Sequence, residues 1–77
     1  MTEEQKDKQL FVTGALTTLL VAATGGFVKY LVFTAHGDDE MVRVSFANSS
    51  YVDVNVSCDS KWALAKDVMA AVAKRYE

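Results

Sequence analysis

The stretch Ala22-Ala23-Thr24-Gly25-Gly26-Phe27-Val28-Lys29-Tyr30-Leu31 decides how this chain folds, because its paired glycines separate two incompatible periodicities. Upstream, between Leu10 and Val21, apolar residues recur at helical spacing. Downstream, Phe27 to Ala35 is a nearly unbroken run rich in β-branched and aromatic residues. Gly25 and Gly26 tolerate the left-handed backbone that closes a helix, so a helix is predicted to end near Thr24 and a strand to follow. The same pair bears on a membrane reading. Leu10 to Val28 carries no charge and is long enough to be a spanning candidate, but Thr13, Thr17, Thr18, Thr24, Gly14 and the glycine pair dilute its hydrophobicity and would break a spanning helix. A small membrane-associated protein using residues 10–28 is therefore kept only as an alternative.

Working back from the glycines, Thr2 and Gln5 stand at capping-box spacing with Glu3 and Glu4 in the first turn, which marks a helix start favoured by its dipole. At 100° per residue, Phe11, Val12, Ala15, Leu16, Leu19, Ala22 and Ala23 share one face, with Thr13, Thr17 and Thr24 opposite. The turns from Glu3 to Gln9 are polar all round and are expected to project beyond the body. Leu10, Leu20 and Val21 fall beside the threonines, and with Gly14 they form a candidate helix-packing seam.

Working forward, Met41 to Ala47 and Tyr51 to Ser57 alternate through Val42, Val44, Phe46 and through Val52, Val54, Val56. His36 to Glu40 and Asn48 to Ser50 are short turn-rich connections that favour a meander of order 1-2-3. After a cap at Asp59 or Ser60, Trp62, Ala65, Met69, Val72 and Tyr76 recur at spacings of three and four with Val68 beside them, predicting a helix packed on the valine face of strands two and three. The expected fold is α+β, αβββα: a three-stranded antiparallel meander flanked by an N-terminal and a C-terminal helix, in a single small domain over residues 1–77.

Seventy-seven residues build a thin core, burying roughly 60% of the unfolded chain's surface, so association with a second copy could matter. Hydrophobic residues are 51% and charged residues 23%, which places the chain among folded globular domains. One cysteine, Cys58, excludes an intramolecular disulfide and points to a reducing cytoplasm. The first nine residues mix Glu3, Glu4 and Asp7 with Lys6 and Lys8, unlike a secretory leader, so Met1 is read as the mature start. A net charge of −2 argues against direct binding of nucleic acid.

The meander brings chemistry together. The helix-one start, the His36 to Glu40 turn and the start of the last helix share one end, which gathers Glu3, Glu4, Asp7, Asp38, Asp39, Glu40 and Asp59, seven of the ten acidic residues. Such a lobe steers a basic protein partner. His36, Asp38, Asp39 and Cys58 fall at the same end, but they form no paired zinc motif and no nucleophile with an oxyanion hole, so neither metal, cofactor nor enzymatic activity is expected. Strand one is apolar on both faces, so Leu31 and Phe33 require cover from helix one or from a second chain. With Leu20 and Val21 they are the candidate self-association residues.

The helix, three strands, helix order and the small acidic body resemble some phage-encoded anti-CRISPR inhibitors in architecture. That likeness implies an inhibitor of a protein complex. The expectation is a cytoplasmic, non-catalytic protein-binding or inhibitor module acting through its acidic surface, with a structural homo-oligomer as the alternative.

Overall fold

The computed structural model describes residues 1–76. Helix α1 (Glu3–Phe11) continues without a break through a π-helical turn (Val12–Leu16) into α2 (Thr17–Ala23). Strands β1 (Val28–His36), β2 (Asp39–Phe46) and β3 (Tyr51–Asn55) form an antiparallel sheet of order β1-β2-β3, and α3 (Lys61–Tyr76) closes the chain. The fold is the expected α+β meander with a helix at each end. No helix among the described residues is long and apolar enough to cross a membrane.

The helix ends where the glycines require it. Gly26 N–H donates to Val21 O at 2.9 Å and Gly25 N–H to Ala22 O at 3.3 Å, the two bonds of a Schellman closure, with φ of 89° and 61° at the glycines. Thr24 fastens this corner to the sheet: its hydroxyl donates to Leu20 O at 2.7 Å and accepts from Val28 N–H at 3.0 Å. That double duty is why Thr24 is buried rather than part of an outward threonine stripe.

The face that the N-terminal helix buries differs from the one predicted. Val12, Leu16, Leu20 and Thr24 point into the core, while Ala15, Leu19, Ala22 and Ala23 are exposed. Steps of four residues overshoot an α-helical turn by about 40° each, so a strict α-helix would rotate such a row off the sheet. The π turn absorbs part of that drift. Thr17 N–H and its hydroxyl both reach back to Val12 O, the latter at 2.6 Å, and the wider turn keeps residues 12, 16, 20 and 24 in line.

Both helices cover the same face of the sheet. The N-terminal helix packs on β1 and α3 on β2 and β3, enclosing Leu31, Phe33, Val42, Val44, Phe46, Val56, Leu64, Val68 and Val72. Leu31 and Phe33 are therefore sheltered by the chain's own helix, and Leu20 belongs to the same core with Val21 half-buried against it. As self-association residues Leu20, Leu31 and Phe33 are corrected: they are interior. The helices run in the same direction. Lys61 at the start of α3 pairs with Asp7 of α1 at 2.8 Å, and Tyr76 at its end lies 5.6 Å, ring to ring, from Phe27 beyond the end of α2. On α3 the buried stripe is Leu64, Ala65, Val68 and Val72; Trp62, Met69 and Tyr76, expected inside, face solvent. Two helices laid side by side on three strands leave the outer half of each uncovered.

Candidate functional site

The end of the molecule at the β1–β2 turn is built around one buried acid. His36 pairs with Asp39, so only Gly37 and Asp38 form the turn, with Gly37 at φ 61° in the glycine position of a type II′ hairpin. Strand β2 therefore begins at Asp39, and period-two alternation puts Glu40 on the covered face with Val42, Val44 and Phe46. Glu40 is 7% exposed and belongs to the interior, which corrects its expected place among surface acids.

The helix start closes over that acid. Thr2 and Gln5 form the capping box, with Gln5 N–H on Thr2 Oγ1 and Thr2 N–H on Gln5 Oε1, both at 3.1 Å. The Gln5 amide then donates to Gly37 O at 2.8 Å and to Glu40 Oε2 at 3.1 Å. Lys8 Nζ meets Glu40 Oε1 at 2.7 Å, and Lys8 is only 4% exposed. From the other side Ser57 Oγ accepts from Glu40 N–H at 2.9 Å, and Val56 N–H donates to Glu40 O at 3.0 Å. Burial pushes the Glu40 carboxyl up, but hydrogen bonds from Lys8 and Gln5, with the Lys8 charge, outweigh it and hold the group below its ordinary value. The first turns of α1, expected to project into solvent, are in fact latched to the hairpin.

The latch sets where the remaining predicted acids stand. Glu3, Glu4, Asp38 and Asp39 are exposed around it. Asp7 is exposed but paired with Lys61. Asp59 is half-buried below Cys58, whose φ of 65° turns the chain from β3 toward α3; Ser60, not Asp59, caps that helix by accepting from Ala63 N–H at 3.2 Å. Asp59 Oδ2 has no hydrogen-bond partner. The hydrogen-bonding demand of the neighbouring Asp67 carboxyl first, then burial and the Asp67 charge, push the Asp59 carboxyl above its ordinary value. The structure thus gathers all seven acids at one end and neutralises part of that charge internally.

A shallow cleft of about 270 Å³ opens there between Thr2, Glu4, Asp38, Glu40 and Cys58. His36 does not line it; its side chain belongs to the opposite, open face of the sheet beside Val32, Thr34 and Met41. Among the described residues no group of three or more His, Cys, Asp or Glu is placed to hold a metal ion.

Two surfaces were not singled out from sequence. On the open face, Arg43 lies across Tyr51, 4.1 Å from the ring centre, and is bidentate to Asp53 at 2.8 and 3.0 Å. On the helix side, Phe11, Ala15, Leu19, Trp62, Lys66 and Met69 line an apolar groove of about 400 Å³ between the N-terminal helix and α3. Trp62 is 88% exposed at its rim. The signal was present as an apolar stripe on each helix, but a stripe alone does not say whether it faces the chain's own sheet. Comparison with protein-family models, curated proteins and solved structures found no match for this chain.

Proposed function

We propose that this chain is a non-catalytic protein-binding module that presents its acidic end to a basic surface on another protein, with inhibition of a larger complex as one form of that role. The observation that carries the reading is the latch, in which Gln5 and Lys8 fix the helix start against Gly37 and Glu40. Through it Glu3, Glu4, Asp38 and Asp39 are held around one rigid end instead of on two independent loops. Charges so placed accelerate encounter with a positive surface and fix its orientation, contributing on-rate more than affinity.

The test is association kinetics with the partner recovered from host extract. Replacing Asp38 and Asp39 by Lys, which touches neither the latch nor the core, should slow association by about ten-fold or more at low salt and flatten its salt dependence. A rate and salt slope unchanged by the reversal would overturn the acidic end as the contact surface. Binding through the Trp62 groove alone would show as loss of affinity on Trp62→Glu with the reversal silent.

A further inference from the structure

The helix layer carries a second apolar face that the monomer leaves uncovered. On α3 it is Trp62, Met69 and Ala73, at steps of seven and four; across the groove it is Phe11, Ala15 and Leu19. Trp62 is 88%, Leu19 54% and Met69 41% exposed. Aromatic side chains at the rim of an apolar groove are the residues that dominate binding energy when a partner seals them from water.

We infer that this face is the interface between two copies of the chain, packed helix layer to helix layer about a two-fold axis that lies in the plane of contact and crosses the helices at right angles. Size is the first argument. The body measures 33 × 19 × 18 Å, and residues 3–23 at about 1.5 Å per residue run roughly 31 Å, so the helices lie along the long axis. The layer they form is then a face of about 33 by 19 Å, comparable with the roughly 800 Å² per partner of a standard interface.

Charge sets the orientation. α1 and α3 run in the same direction, with Glu3 and Glu4 in the first turn of α1 at one end and Lys74 and Arg75 in the last turn of α3 at the other. A two-fold in that plane, running across the helices, lays the helices of the two copies antiparallel and sets the acidic end of each copy over the basic end of the other. A parallel arrangement would oppose like charges and is disfavoured. The same axis carries Trp62, in the first turn of one α3, toward the far half of the other groove, where the outward residues are Ala22, Ala23 and Ala73. Small residues there leave room for an indole, so knob and recess belong to one self-complementary surface.

The chain has a single tryptophan, so Trp62 reports its own burial. Sedimentation and tryptophan emission are measured on the full chain from nanomolar to about 100 µM. Twice the chain mass at the upper concentrations, with an emission blue shift that follows the same dimerisation curve, is the expected result. Trp62→Glu and Leu19→Glu, both exposed in the single copy, should each raise the dimer dissociation constant at least about 30-fold while far-ultraviolet circular dichroism is unchanged. Glu3→Lys with Glu4→Lys should weaken the dimer, and adding Lys74→Glu should recover part of the loss. A chain that stays monomeric at 100 µM overturns the inference and leaves the groove to a foreign helix. A dimer indifferent to both Trp62→Glu and Leu19→Glu overturns it too, placing the contact on the β1 edge or the open sheet face. Because Asp38 and Asp39 project from the hairpin tip, their reversal leaves this dimer intact and separates its fate from that of the acidic-end reading.

Discussion

Strand β2 carries one ion pair on each face, and the two are near-identical in length: Lys8 to Glu40 at 2.7 Å on the covered side, Arg43 to Asp53 at 2.8 Å on the open side. Their surroundings differ completely. The side chains of the first pair are 5% and 8% exposed, those of the second 51% and 33%. In the covered site the ions have left water and depend on each other and on Gln5. On the open face solvent screens the attraction and hydrates whichever partner is left alone. Distance, then, says little about what a pair contributes; the cost of leaving one partner unmatched says more.

The covered pair is the place to break that contrast. Lys8→Met or Glu40→Gln should destabilise the fold by about 3–5 kcal/mol, because each leaves a buried charge without its counter-charge. For a domain of this size, total stability on the order of 4–11 kcal/mol makes either change large. The double variant Lys8→Met with Glu40→Leu removes both charges and should return to within about 2 kcal/mol of the parent, since apolar residues of similar volume replace the pair. Urea titrations at pH 7 measure all three. A double variant as unstable as the singles would mean that Glu40 stabilises through Gln5 and the hairpin, not through Lys8.

Acid separates the contributions by sign. The Glu40 carboxyl sits below its ordinary value of 4.5 in the fold, so its contribution is complete above pH 4.5 and is lost as pH falls through the folded value. Asp59 runs the other way. Its carboxyl is raised above 3.8 by Asp67 and by burial, so its ionisation weakens the fold increasingly as pH rises from 3.8 through the folded value. Asp59→Asn should therefore raise the thermal midpoint at pH 7 and lose that advantage below pH 3.8. An equal gain at both pH values would locate the effect in packing, not in charge.

These features show how far the residues alone carry the fold. The glycine pair, the alternating valines and the capping box were sufficient for element order and strand order, because turn chemistry and periodicity are local. Two placements depended on exact phase and were missed. The inward row of Lys8, Val12, Leu16, Leu20 and Thr24 repeats every four residues, which a fixed 100° step converts into a different face until the π turn is known. Glu40 shares parity with Val42 and Val44, but a two-residue hairpin must be distinguished from a longer loop before that parity applies. Gathering the acids at one end was legible from topology; their partial neutralisation was not, because it depends on Lys8 and Gln5 being drawn inward. On α3 the apolar positions exceed what three strands can cover, so Trp62 and Met69 were assigned to a core that had no room for them.

The smallest effect belongs to the open face. Arg43→Ala removes a bidentate contact and a cation over Tyr51, yet Asp53 is left beside water, with a desolvation penalty far smaller than that of a buried carboxylate. The guanidinium holds the Asp53 carboxyl below its ordinary value of 3.8, so the variant should let that group titrate higher. In the same urea series its midpoint should move several-fold less than that of Lys8→Met, and the residual shift should shrink further in 1 M salt, where the screening length falls to about 3 Å. A shift that matched the covered pair and ignored salt would show that Arg43 acts through its aliphatic stem and Tyr51, covering β2 and β3 as a hydrophobic strap. The open face would then be a packed surface in its own right, and the contrast between the two sides of β2 would rest on contact area, with charge contributing little.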